Sequence, residues 1–173
     1  MNPPILVDHS DKIDGLLEIK LDKFEDIRGV NFEGYNKSIY NKLDKFPVKE
    51  FLIDSFSISK KNSLRGFHGD KFNWKMIQCL YGEIQFFAID YRETSKTYLN
   101  VIEFSLNGKN PNQILLPPSV VNAHLCISGE CLFAYKLSNN YAKPEDQLHI
   151  KWNDPRFNLN WKTQNAVLSN RDK

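Results

Sequence analysis

Between Met76 and Trp152 the chain breaks into short apolar runs set off by Gly, Pro and Asn turn signals. They recur at roughly the eight- to twelve-residue spacing of an all-β sandwich or barrel. Met76 to Leu80, the turn Tyr81-Gly82, and Glu83 to Asp90 read as a hairpin. Tyr98 to Leu106 alternates Ile102, Phe104 and Leu106 on one face with Val101, Glu103 and Ser105 on the other. Gln113 to Leu116 is stopped by Pro117-Pro118, and Gln147 to Trp152 reads as a further strand. His124 to Ile127 and Cys131 to Leu137, joined through Ser128-Gly129-Glu130, read as a second hairpin. No window in this region sustains the i, i+3, i+4, i+7 pattern of an amphipathic helix, so an antiparallel sandwich or barrel is the expected architecture. Short helical turns are expected near Tyr40 to Phe46 and after Pro144.

The 173 residues are 41% hydrophobic and 25% charged, the profile of a single globular domain spanning 1–173. A formal charge of +2 supplies no field for non-specific nucleic-acid binding, so any anionic ligand must be held by a few placed cations. No apolar run approaches the roughly 20 residues of a membrane span. The opening MNPPILVDHS has neither the basic start nor the apolar run of a signal peptide, which makes the cytoplasm the expected compartment. Cys79, Cys126 and Cys131 form no CxxC pair and leave one thiol unmatched, so they read as small core residues.

Four histidines, His9, His68, His124 and His149, are the candidates for proton transfer near neutral pH. The densest polar cluster within apolar sequence is Ser63-Leu64-Arg65-Gly66-Phe67-His68-Gly69-Asp70, followed by Trp74-Lys75. On a strand of a small barrel, its polar side chains would point into the barrel mouth. In Phe133-Ala134-Tyr135-Lys136 a phenol sits among core residues while Lys136 faces the other way. Pro117 to His124 is a proline-stiffened entry to a strand with His124 at its start, and the tail carries Leu168-Ser169-Asn170-Arg171-Asp172. A metal site on such a barrel wants two His spaced H-x-H on one strand face and a carboxylate shortly after. The residue two after His68 is Asp70, and that two after His124 is Cys126, so this motif is absent. His9 and His149 lie outside every cluster and read as structural.

Taken in order, these clusters resemble the dTDP-4-dehydrorhamnose 3,5-epimerase family. The match begins with Phe24-Glu25-Asp26-Ile27-Arg28-Gly29 and Glu33, and continues through Leu64 to His68, Lys75, and Ile89-Asp90-Tyr91-Arg92. Pro118 to His124, Tyr135-Lys136, Trp152-Asn153-Asp154-Pro155 and Leu168 to Asp172 complete it. The resemblance implies a cupin-type jelly roll needing no metal or cofactor, usually a homodimer, that epimerises a nucleotide-linked 4-keto sugar beside its ketone. It further implies His68 as base, Asp172 as the carboxylate fixing its tautomer, Tyr135 as acid on the far face and Lys75 as partner of the enolate oxygen. Arg65 would bind the diphosphate, His124 would line the sugar site, and Arg28 and Glu33 would reach the nucleotide across the dimer interface.

Asn31 stands where the family places a thymine-stacking aromatic, Ile53 replaces a glutamine, and Leu125 replaces a glycine. The compact His-Gly-Asp to Trp-Lys loop is similar to a branch acting on GDP-linked 4-keto heptoses of bacterial capsules. Two other readings of the clusters are a 3,4-ketoisomerase of the same fold, which usually carries a second His where Asp70 stands, and a non-catalytic sugar-nucleotide-binding jelly roll.

Overall fold

The computed structural model describes residues 2–173. Two antiparallel sheets face each other in a jelly roll. One has the order β1-β2-β10-β7-β12-β5, comprising Ile5–Asp8, Leu17–Lys20, Gln113–Leu116, Lys75–Tyr81, Glu130–Leu137 and Ile53–Lys60. The other has the order β13-β6-β11-β8-β9, comprising Gln147–His149, Leu64–Asp70, Val120–Cys126, Glu83–Asp90 and Val101–Asn107. A separate two-stranded hairpin pairs β3 (Lys23–Asp26) with β4 (Gly29–Phe32). Among the described residues, no helix is long and apolar enough to cross a membrane.

Neither expected hairpin is one. The strands flanking Tyr81-Gly82, β7 and β8, lie in opposite sheets, as do β11 and β12 on either side of Ser128-Gly129-Glu130. Each turn hands the chain from one layer to the other. At Gly82, φ is +74° and a Cβ would run into the Glu130 carbonyl and the Ser128 hydroxyl, so the crossing demands glycine. Turn residues announce a reversal. They do not say whether the next strand bonds to the last or faces it across a core.

The alternation expected in β9 holds, with Ile102, Phe104 and Leu106 packing inward. β11 begins at Val120 rather than His124, because Ser119, at φ 63°, makes the turn directly after Pro118. Ladder pairing of the 147–152 run ends at Ile150, whose backbone exchanges 3.2 Å bonds with Phe67. The chain then peels away to cover the outer face, where Trp161 packs on Phe87 at 4.8 Å. The first helical turn lies earlier than expected, at α1 (Lys37–Tyr40), because the Asn36 side chain accepts from Ser38 N (3.1 Å) and so caps it. The second falls where expected, as a 3-10 turn at Pro144–Asp146.

The interior divides by side-chain chemistry. Beneath β7, β8, β9 and β10 it is apolar, built from residues such as Ile77, Ile84, Phe86, Ile114 and Leu116, with the three cysteine thiols free and buried among them. Toward β5, β6, β11 and β12 the inward positions turn polar. Arg65 and His68 on β6 share this inward side although they stand three positions apart, a parity that a regular strand forbids. The register explains it: Asn122 pairs with His68 and His124 with Arg65, so two steps on β11 span three on β6. Phe67 is thereby turned outward to pack against Phe87 and Val121.

Gly66, at φ +113°, occupies this bulge with Asn122 O 2.5 Å and Ala123 Cα 2.8 Å from where a Cβ would stand. Gly66→Ala is therefore expected to cost about 1–3 kcal/mol and to lower Tm by roughly 2–4 °C per kcal/mol. A melting curve superimposable on wild type would show that the slip does not need glycine.

Candidate active site

The polar side of the sandwich opens into a cavity of about 400 Å³. Its walls come from both sheets. β6 and β11 contribute Arg65, His68, Asn122 and His124, while β5, β7 and β12 contribute Ser55, Ser57, Lys75, Phe133 and Tyr135. The C-terminal tail closes one side with Ser169, Arg171 and Asp172.

His68 meets Asp172 with Nε2 2.7 Å from Oδ1. Both atoms are sealed from solvent, and their approach lacks hydrogen-bond alignment. Asp172 is 3% exposed, and its other oxygen, Oδ2, accepts from Ser169 Oγ at 2.8 Å. Burial pulls the His68 pKa below its ordinary value. The Asp172 carboxylate opposes that pull, while Arg171, His149 and Lys75 reinforce it. The imidazole is thus neutral at neutral pH, as a base must be.

Tyr135 stands on the facing sheet, its hydroxyl 3.4 Å from that of Tyr141. Burial raises its pKa, with Tyr141 adding to the rise and Ser55 opposing it, so the phenol keeps its proton. Between the two walls the Lys75 ammonium donates to Asn122 Oδ1 at 3.1 Å and lies 5.6 Å from the Tyr135 ring centroid. Desolvation lowers its pKa to about 8, Arg171 adding to the fall and Asp70 opposing it.

The loop from His68 to Lys75 is held by Asp70, whose Oδ1 accepts from Phe72 N (2.9 Å) and Asn73 N (2.7 Å). Asn73 in turn accepts from Asn139 N at 2.7 Å, tying this loop to the segment that carries Tyr141. Arg65 donates from Nε to Ser59 Oγ at 2.9 Å and leaves its remaining donors for an anion. His124 stacks on Phe133 with centroids 4.0 Å apart and planes at 14°, a contact worth about 0.5–1.5 kcal/mol beyond the area buried. Burial, with Arg65, Lys75 and His68 nearby, holds its pKa well below the ordinary range, making it a neutral wall.

Six of the expected residues therefore meet around one cavity: Arg65, His68, Lys75, His124, Tyr135 and Asp172. Arg28 and Glu33 do not line it. Arg28 forks onto Asp26, with Nη2 to Oδ2 at 2.5 Å, on the exposed β3–β4 hairpin. Sequence reasoning gave no role to Asn122 and Ser169, although both lie within clusters it singled out, and missed Tyr141, which stands outside every cluster. It also set aside His149, which β13 pairs directly with His68. His9 is structural as expected, bonding Glu18 at 3.3 Å outside the cavity.

Known proteins place this geometry in a family. The family model described as dTDP-4-dehydrorhamnose 3,5-epimerase matches residues 10–173. The chain is 34% identical over 161 residues to the dTDP-4-dehydrorhamnose 3,5-epimerase of Salmonella typhimurium strain LT2, covering 91% of this chain and 86% of that one. It is 31% identical over 166 residues to the Escherichia coli strain K12 enzyme of the same name, covering 94% and 89%. Among solved structures, the dTDP-6-deoxy-D-glucose-3,5-epimerase of Legionella pneumophila in complex with dTDP-4-keto-L-rhamnose superimposes with a TM-score of 0.88 at 28% identity, over 98% of this chain and 89% of that one. The chain belongs to the dTDP-4-dehydrorhamnose 3,5-epimerase family, isomerases that act on sugar nucleotides.

Proposed function

We propose that this protein inverts C3, C5 or both of a nucleotide-diphosphate-linked 4-keto sugar, without a cofactor. The observation that carries the reading is a neutral imidazole and a protonated phenol on facing sheets of one cavity, with a buried ammonium between them. His68 takes the proton alpha to the ketone, the Lys75 ammonium stabilises the enolate oxygen, and Tyr135 returns a proton to the opposite face. With Nε2 turned to Asp172, Nδ1 is the nitrogen left to receive the proton, and the carboxylate supports the imidazolium that forms. Arg65 grips the diphosphate and His124 bounds the sugar. Acid and base on opposite walls suit inversion at one carbon. A 3,4-ketoisomerase shuttles its proton along a single face and has no use for the second wall.

The hairpin β3–β4 stands apart from both sheets and exposes Phe24 and Ile27. Its Arg28 and Glu33 reach a nucleotide if two chains pair and each hairpin crosses to its partner's cavity. Light scattering is expected to give twice the 20.2 kDa chain mass. A monomer at working concentration would remove Arg28 and Glu33 from the site.

The Legionella relative binds a dTDP-linked 4-keto sugar. Here Asn31 and Leu125, in place of a stacking aromatic and a glycine, speak against a thymine-linked sugar, and the compact loop from His68 to Lys75 makes a GDP-linked 4-keto heptose of capsule biosynthesis our specific candidate. In deuterium oxide, wild type should incorporate deuterium at C3, C5 or both, and faster with GDP-linked than with dTDP-linked 4-keto sugars. His68→Asn should abolish incorporation, and Tyr135→Phe should slow product formation by about 10²–10⁴-fold. Incorporation undiminished in His68→Asn would refute the base.

Because burial disfavours the Lys75 ammonium, that charge is present below about pH 8 and lost above it. Turnover is expected to fall as pH rises through that value, and Lys75→Met should leave a low rate without this alkaline limb. A limb that survives in Lys75→Met would assign it to another group.

A further inference from the structure

We propose that His68 Nε2, His149 Nε2 and Asp172 Oδ1 form a binding site for a divalent transition-metal ion of the zinc class, and that filling it switches off the base. The three ligand atoms lie within 4.8 Å of one another. They come from three separate places in the chain. β6 and β13 set His68 and His149 directly opposite each other, their ring centroids 5.4 Å apart and planes at 31°, and the C-terminal tail lays Asp172 beside the pair. His149 Nε2 is 4.0 Å from Asp172 Oδ1, and His68 Nε2 is 2.7 Å from the same oxygen.

Ligand atoms of a tetrahedral zinc ion with bonds near 2.0 Å stand roughly 3.3 Å apart, so the His68–Asp172 contact must open by about 0.6 Å, the His149–Asp172 contact must close by about 0.7 Å, and the two ring nitrogens, within 4.8 Å of each other, must settle to the same spacing. Such movements lie within ordinary side-chain play. Two imidazoles and one carboxylate are the donor set that zinc, nickel and copper prefer, with positions left for water.

A second observation points the same way. His68 Nε2 and Asp172 Oδ1 are both buried and lie 2.7 Å apart without hydrogen-bond alignment, so the contact between them is one that a shared cation could replace. The carboxylate is already oriented from behind by Ser169 Oγ at 2.8 Å, the kind of outer support that metal ligands carry. His149 is partly exposed, which provides an entry path. The positive charges of Arg171 and Lys75 nearby oppose the ion and weaken its binding.

The consequence for catalysis follows from the tautomer. An ion on Nε2 takes that lone pair and displaces its proton, so a neutral His68 ring must carry hydrogen on Nδ1. The nitrogen assigned to proton abstraction then has no lone pair to offer, and Asp172 is occupied as well. Binding rests on the geometry alone. Only this loss of turnover rests on the epimerase reading.

Calorimetric titration of the purified protein with zinc chloride, and with cobalt chloride read by visible absorption, decides the matter. One ion per chain is expected, with His149→Ala and, separately, Asp172→Asn each weakening binding by about 10- to 100-fold. His9→Ala, at the only other ring-to-carboxylate contact away from the cavity among the described residues, should change nothing. No binding, or binding indifferent to both His149→Ala and Asp172→Asn, would overturn the site. Zinc should also lower wild-type turnover, with recovery on adding a chelator, and a fully active zinc-loaded protein would overturn the switch. A wild type that turns over no 4-keto sugar counts against the epimerase reading and leaves the titration to decide the metal site.

Discussion

The cavity depends on one irregularity in the ladder between β6 and β11. A strand alternates its side chains, so Arg65 and His68 would ordinarily face opposite sides of their sheet. Two steps on β11 against three on β6 absorb the mismatch and turn both inward. Phe67 then reaches the outer cluster, so the same slip anchors the strand by burying an aromatic and delivers its functional groups to the interior. The guanidinium of Arg65 and the imidazole of His68 thus reach one cavity through backbone register.

Burial then sets the chemistry. A chain with a formal charge of only +2 has no general attraction for an anion, and the few cations that meet one must be placed. Lys75 is placed where desolvation makes its ammonium costly, and an enolate is the partner that relieves that cost. The same low-dielectric setting keeps the imidazoles of His68 and His124 neutral and the Tyr135 phenol protonated. One environment thus sets the charge states of the imidazoles, the phenol and the ammonium together.

Asp172 is the most exacting group in the site. A carboxylate 3% exposed must be compensated, and Ser169 and His68 supply the compensation from the tail and from β6. His149 enters the same neighbourhood from β13. Its approach turns the His68–Asp172 pair into a cluster of three donors.

What the sequence determined by itself was the class of fold, the family and a set of candidate residues. Turn residues and period-two apolar runs announce an all-β sandwich, and alternation within β9 predicts its buried face. Motifs in the order of the family single out Arg65, His68, Lys75, His124, Tyr135 and Asp172, and the fold gathers all six around one cavity. Only the tertiary structure decided that the turns at Gly82 and Gly129 are crossings between layers, since local chemistry is blind to the partner a strand finds. Only it decided that Arg28 and Glu33 lie outside their own chain's cavity. His149 is the clearest case. The search for a second histidine looked two residues along the strand, whereas β-sheets bring residues together across the ladder, and His149 reaches His68 through a pairing that spans eighty-one positions in the chain.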